Sequence, residues 1–276
     1  MNVSGATVLI TGGASGIGAA MARAAAERGA AHIILWDLNA QAGQDVADRL
    51  RPACPVSVVE VDVGNNASVR RAAEATWDVT DHVDILVNNA GIVTGKKFLD
   101  LTETDIHRTF QINALSLYRV TRQILPTMME ADHGTVVTIA SAAGLIGVSR
   151  QTDYSASKFA ATGFTESLRA ELRKSGSNIS TLLVQPFYID TGMFAGVKTK
   201  RPALLPILKQ DEVADKVVNA IEKGHQSLVL PRLASLVKIA KFLPVPVLDR
   251  VADFFGINET MDEFVGRRPA PSARRR

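Results

Sequence analysis

The sequence has little of several things that mark whole classes of protein, and each shortage removes an option. Cys54 is the only cysteine in 276 residues. No intrachain disulfide can form, which suits a reducing compartment. Cys54 lies in "RPACPVSV" with no histidine nearby and reads as an apolar filler at the entrance to a strand. The histidines at 32, 82, 107, 133 and 225 lack metal-ligand spacing, so no metal is expected. No segment approaches the roughly 20 uninterrupted apolar residues of a membrane span. The start, "MNVSGATVLI", lacks the basic and apolar regions of a signal peptide. The expected location is the cytoplasm. An excess of positive charge is also missing from the body of the chain. The net charge is +3, but Arg267, Arg268, Arg274, Arg275 and Arg276 supply five positive charges at one end. Taking those five from +3 leaves −2, so nucleic acid is not an expected partner. The Pro-, Ala- and Arg-rich stretch 267–276 reads as a solvated, disordered tail.

What is present is ordinary globular material: 46% hydrophobic and 21% charged residues, enough for a sizeable core. Short apolar runs recur at 6–10, 32–36, 56–61, 84–90, 134–140, 179–186 and 227–231. They are rich in Val, Ile and Leu and barely alternate, as strands covered on both faces do. Between them lie Ala-, Arg- and Glu-rich stretches such as "IGAAMARAAAERG", which stops at Gly29. Strand and helix in alternation predict an α/β fold: a parallel seven-stranded sheet with helices on both faces. No linker divides the chain, so one domain is expected over 1–266.

The first predicted strand runs directly into "TGGASGIG" (11–18) and then a helix. A glycine-rich loop in that position offers backbone N–H groups and a helix N-terminus to a pyrophosphate. Gly12, Gly16 and Gly18, with Ser15 and Ile17 between them, are therefore candidate cofactor contacts. The second strand ends about 20 residues later at Asp37, where a carboxylate can accept from ribose hydroxyls and repel a 2′-phosphate. That favours NAD(H) over NADP(H). In "TDYSASKFA" (152–160), Tyr154 and Lys158 stand four residues apart and share a face if the stretch is helical.

Taken together, these residues resemble the short-chain dehydrogenase/reductase family over about residues 5–231. The matching motifs are the G-x3-G-x-G loop, Asp62-Val63, "NNAG" (88–91), Asn113, Ser141 and Tyr154-x3-Lys158. The resemblance implies a single doubly wound Rossmann domain and an NAD-dependent oxidoreductase. It implies Tyr154 as acid/base, Lys158 as the cation that lowers its pKa and holds a ribose, Ser141 on the substrate oxygen, and Asn113 in a proton relay. Asp62, Val63, Asn89, Ala90, Gly91, Pro186 and Thr191 would line the cofactor, and Asn88 would hold the neighbouring strand end. Each residue also has a plainer reading. Ser141 suits a turn, Asn113 a bend in its own helix, Tyr154 a core aromatic and Lys158 a solvated face.

One motif departs from the family, which mostly has Pro-Gly after the sixth strand. Here it is Pro186-Phe187. With "PFYIDTGMF", "LLPIL" (204–208) and "FFGINETMDEFVGR", it resembles the branch of epidermal retinol dehydrogenases and related lipid or steroid alcohol dehydrogenases. Substrate choice is expected in a loop or short helices at 187–209. A C-terminal helical extension is expected at about 232–266. Its part at 232–256 reads as two amphipathic pieces broken by Pro244 and Pro246, with a stripe of Leu233, Leu236, Val237, Ala240 and Leu243. That stripe fits packing on the body, packing on a second subunit, or peripheral contact with a membrane surface. The family also implies a homodimer or homotetramer. The leading expectation is an enzyme interconverting a lipophilic alcohol and its carbonyl, with retinoid-, steroid- or fatty-alcohol-like substrates. A reductase of small keto or 3-ketoacyl substrates and a non-catalytic NAD-binding sensor are the alternatives.

Overall fold

The computed structural model describes residues 1–267, so residues 268–276 of the expected basic tail lie outside the described residues. Seven parallel strands form one sheet: β1 (Thr7–Thr11), β2 (His32–Asp37), β3 (Val56–Glu60), β4 (Ile85–Asn88), β5 (Thr135–Ile139), β6 (Ser180–Pro186) and β7 (Ser227–Leu230). Their spatial order is β3-β2-β1-β4-β5-β6-β7. The order reverses between β1 and β4, whose paired residues run from Val8 opposite Ile85 to Ile10 opposite Val87. Ligands of such sheets bind beyond the carboxyl ends of the strands at that reversal, and the site below lies there.

The helices are α1 (Gly16–Glu27), α2 (Ala40–Leu50), α3 (Asn66–Trp77), α4 (Glu103–Phe110), α5 (Ser116–Ala131), α6 (Thr152–Lys174) and α7 (Gln210–Glu222), followed by α8 (Val237–Ala240) and α9 (Val245–Phe255). One layer of core lies under α1, α2 and α7 and joins Met21, Ile33, Val46, Val184 and Val217. The other lies under α3, α5 and α6 and joins Leu9, Ile34, Val69, Ile124 and Leu172. Consecutive residues Ile33, Ile34 and Leu35 are all fully buried. Both sheet faces are covered, which is why the sequence runs are continuous rather than alternating. Small residues give α1 its place, for Ala22, Ala24, Ala25 and Ala26 are buried. Trp36 is buried too, and its indole N–H donates to Thr76 Oγ1 at 2.9 Å, as a buried indole requires.

Of the two alternatives for 187–209 the structure has the loop, and one expectation for the extension changes. The 187–209 stretch forms turns and no helix. It is drawn together by a single parallel bridge between Ile189 and Leu208. In the extension, Pro244 breaks the chain but Pro246 does not. Pro244 caps α9 and Pro246 lies in that helix's first turn, where a missing N–H costs nothing. Before it, a 3-10 turn over Arg232–Leu236 leads into α8. No described helix is long and apolar enough to cross a membrane.

Candidate active site

The glycine loop is shaped by three close approaches. Gly12 N–H donates to the Trp36 carbonyl at 2.7 Å, tying the loop to the end of β2. A β-carbon at Gly18 would collide with the Gly12 carbonyl, so only glycine lets α1 start against the loop. Gly16 has φ +54° and faces Thr191, whose Cβ would lie 3.1 Å from an added β-carbon. That contact brings the segment after β6 over the start of α1. Ser15 and Ile17 line the same cleft.

Asp37 is fixed from both sides. Its Oδ2 accepts from Ala14 N–H and its Oδ1 from Asn39 N–H, each at 2.9 Å. Each carboxylate oxygen retains a lone pair, and the side chain borders the cleft. Asp62 and Val63 follow β3 on the same rim, and Asp62 Oδ1 accepts from Gly64 N–H at 2.8 Å.

The asparagine pair after β4 differs from expectation. Asn88 turns away from β1 and donates to Thr121 Oγ1 on α5 at 3.0 Å. Asn89 performs the clamp. Its amide donates to the carbonyls of Thr11 at 2.9 Å and Gly12 at 3.1 Å, while Thr11 Oγ1 accepts from the N–H groups of Asn89 and Ala90. The physical reason is strand alternation: Asn88 ends β4 facing the α5 layer, so the next side chain reaches β1. Asn89, Ala90 and Gly91 all line the cleft.

Asn113 lies in a π-type turn, Gln111–Leu115, that joins α4 to α5. Its Oδ1 accepts from Ile92 N–H at 2.8 Å, and its amide donates to the Ile92 carbonyl at 2.9 Å and to Ser157 Oγ at 3.0 Å. Ser157 Oγ in turn donates to the Tyr154 carbonyl at 2.7 Å. Both amide donors are thus used in binding the 91–92 loop to the first turns of α6. The helix-bending reading and the site reading of Asn113 meet in one residue.

Tyr154 and Lys158 occupy the first two turns of α6, both buried. The Lys158 ammonium is 5.7 Å from the centre of the Tyr154 ring and donates to the Ile139 carbonyl at 2.9 Å. Ser141 follows β5. Its hydroxyl accepts from Ala143 N–H at 3.1 Å, capping a short turn, and also faces the phenol. The expected lowering of the Tyr154 pKa is not what these surroundings produce. Burial pushes the phenol up from its ordinary value, the Ser141 hydroxyl pulls it down, and the nearby Tyr188 adds to the rise. Burial brings Lys158 down to about 8. One dry pocket disfavours the charged form of both groups.

Two cavities meet at Tyr154. The first is the cleft above the glycine loop, which reaches from Asp37 and Asp62 past Gly91 to Lys158, Pro186 and Thr191. The second is an apolar cavity of about 220 Å³ between α6, the segment after β6 and the helices α8 and α9. Ser141, Tyr154, Phe187 and Phe194 border both. Among the described residues no cluster of three or more metal-binding side chains occurs.

The short chain dehydrogenase family model matches residues 6–202, the span that carries this constellation. The chain belongs to the short chain dehydrogenase family. Among curated relatives, "Epidermal retinol dehydrogenase 2" of Homo sapiens is 40% identical over 271 residues, covering 97% of this chain and 87% of the relative. "Short-chain dehydrogenase/reductase family 16C member 6" of Bos taurus is 37% identical over 270 residues, covering 96% and 85%. Among solved structures, a short chain dehydrogenase/reductase from Burkholderia phymatum in complex with NAD superposes with a TM-score of 0.79. It is 26% identical, covering 88% of this chain and 95% of that one.

Within this short chain dehydrogenase the residues present suit a dinucleotide. A Cβ-free cradle at Gly12, Gly16 and Gly18 leads to a carboxylate held by two backbone N–H groups with lone pairs to spare. Three residues escaped the sequence reading. Gln151 donates through Nε2 to the Tyr188 hydroxyl at 3.1 Å, and that hydroxyl lies 2.8 Å from Thr260 Oγ1. The Tyr188 ring packs edge-on against Phe187 and Phe194. No motif signals this link, because its members are 37 and 72 residues apart.

Proposed function

We propose that this protein is an NAD(H)-dependent oxidoreductase that interconverts an alcohol and a carbonyl on a lipophilic molecule. The observation that carries the reading is the apolar cavity with Tyr154 and Ser141 at its inner end. Ile146, Val148, Leu205, Leu233, Val237 and Phe255 are among its walls. Such a wall gains free energy by covering hydrocarbon, at about 25 cal/mol for each Å² removed from water. Among the described residues its lining offers no cation for a carboxylate or a phosphorylated carrier, which weighs against the small-keto and acyl-carrier alternatives.

When bound, the nicotinamide supplies or takes the hydride, which is the chemistry no side chain here can perform. The residues of this chain supply the rest. Ser141 Oγ is a donor and an acceptor and orients the substrate oxygen toward the phenol. As the phenolate, Tyr154 Oη would accept the hydroxyl proton in oxidation, and as the phenol it would return that proton in reduction. Lys158, with its ammonium set by Ile139, stabilises the phenolate as it forms. Asn113 fixes the loop at 91–92 against α6 and so keeps Tyr154 and the cleft in register, as part of the proton-relay side of the site. Asp37 accepts from a ribose diol and disfavours a 2′-phosphate. Thr191 and Pro186, at the far end of the cleft from Asp37, would hold the nicotinamide end.

A panel of primary and secondary alcohols of increasing chain length, each assayed with NAD⁺ and NADP⁺, tests the reading. The expected result is kcat/KM that climbs with chain length and a preference for NAD⁺. A flat dependence on length, or a preference for charged acyl substrates, would overturn it.

A further inference from the structure

The segment that forms the far wall of the apolar cavity has a second, outward face. Leu233, Val237, Ala240 and Leu248 point into the cavity, and Leu236 lines it while remaining 53% exposed. Between them the same short stretch presents Phe242 at 90% exposure and Ile239 and Val245 at 68% each. A soluble surface seldom exposes so many large apolar side chains within ten residues unless something covers them. The charge around them is of one sign. Arg232, Lys238 and Lys241 lie in this stretch, and no acidic residue occurs between Glu222 and Asp249. Arg232 and Lys238 are exposed and form no ion pair among the described residues, while Lys241 lies 4.7 Å above the Phe159 ring.

We propose that the outer face of residues 236–247 docks on an anionic lipid bilayer, with α8 and the start of α9 lying in the headgroup layer. Exposed Phe, Ile, Val and Leu beside unpaired cations are the chemistry of an interfacial segment. A second copy of the chain fits less well. Pairing this face with itself would bring its cations together with no carboxylate to offset them. The inference rests on the lipophilic-substrate reading for its use: the segment that touches lipid also walls the cavity, so substrate dissolved in the bilayer meets the enzyme at the cavity's own rim.

Vesicle flotation of the full chain provides the test. Phosphatidylcholine vesicles with and without phosphatidylserine are compared for the wild type, Phe242→Ser/Val245→Ser and Lys238→Glu. The wild type is expected to float with the phosphatidylserine vesicles and less with phosphatidylcholine alone. The double variant should lose about ten-fold in partitioning, and Lys238→Glu a few-fold. None of the three altered side chains lines either cavity, so oxidation of a short, water-soluble alcohol with NAD⁺ should persist in all the variants. A wild type that stays in solution, or variants that float as well as it does, would overturn the docking. So would sedimentation showing that the double variant turns a dimer into a monomer while no form binds vesicles. Flotation intact with no alcohol oxidation by the wild type would uphold the docking and sink the catalytic reading.

Discussion

The two cavities that meet at Tyr154 are built in different ways. The cleft over the glycine loop is made from strand ends and the turns that leave them: Gly12 after β1, Asp37 at the end of β2, Asp62 after β3, Asn89 after β4 and Ser141 after β5. Its polar groups are held by backbone hydrogen bonds, and small side chains let those backbones approach. The apolar cavity is made largely from what comes after β6, in turns and short helices whose outward side chains are left uncovered. A sheet supplies position at little extra cost, because every strand end is fixed by its neighbours. A wall made of α8 and α9 has no such frame and is tied down by side chains: Arg201 donates to the Phe254 carbonyl and stacks on its ring, Lys241 lies over Phe159, and behind α9 Tyr188 links Gln151 to Thr260. The wall is therefore expected to open at lower cost than the cleft.

Substitutions on each side can break that contrast. The largest effect is expected at the junction. Tyr154→Phe should cost roughly 10²–10⁴-fold in turnover, the span attributed to one acid/base group. NADH affinity, followed by fluorescence titration, should change little. Near-normal turnover would remove Tyr154 from its role. On the cleft side, Asp37→Ala should weaken NAD⁺ binding by about ten-fold, as loss of hydrogen bonds to a charged group does. It should also narrow the gap to NADP⁺. A parent that already prefers NADP⁺ would refute the assignment of Asp37. On the wall side, Tyr188→Phe removes one hydroxyl and strands a buried Gln151 donor. A loss of about 1–3 kcal/mol is expected, read in urea midpoints. Faster amide exchange should be confined to residues 232–264, with the strands unaffected. Exchange that quickens equally in β1 and β4 would show that wall and cleft are one unit.

The legibility of the molecule follows the same division. All seven strands were readable within a residue or two, because parallel strands covered on both faces leave uninterrupted apolar runs. The cleft residues were readable because each sits at a fixed offset from a strand end. The asparagine clamp was assigned to Asn88 rather than Asn89, since the text of a motif does not say which face its last strand residue turns to. The behaviour of Pro246 was misjudged for a related reason: a proline stops a helix or starts one depending on its place in the first turn. The Tyr154 pKa could not be read at all. Its direction depends on how dry the pocket is, and burial is a property of everything packed around α6 rather than of Tyr154 and Lys158. The Gln151–Tyr188–Thr260 link joins residues far apart in the chain, with no spacing to betray it.

The segment 232–262 contributes to the apolar cavity but to no strand of the sheet, and none of its residues borders the cleft. Substitutions at its cavity-lining positions, Leu233, Val237 and Leu248 among them, are expected to alter which alcohols are admitted without changing a residue that lines the dinucleotide cleft. New specificities in this scaffold are thus reachable by rewriting about thirty residues near one end, without asking the β-sheet to change at all.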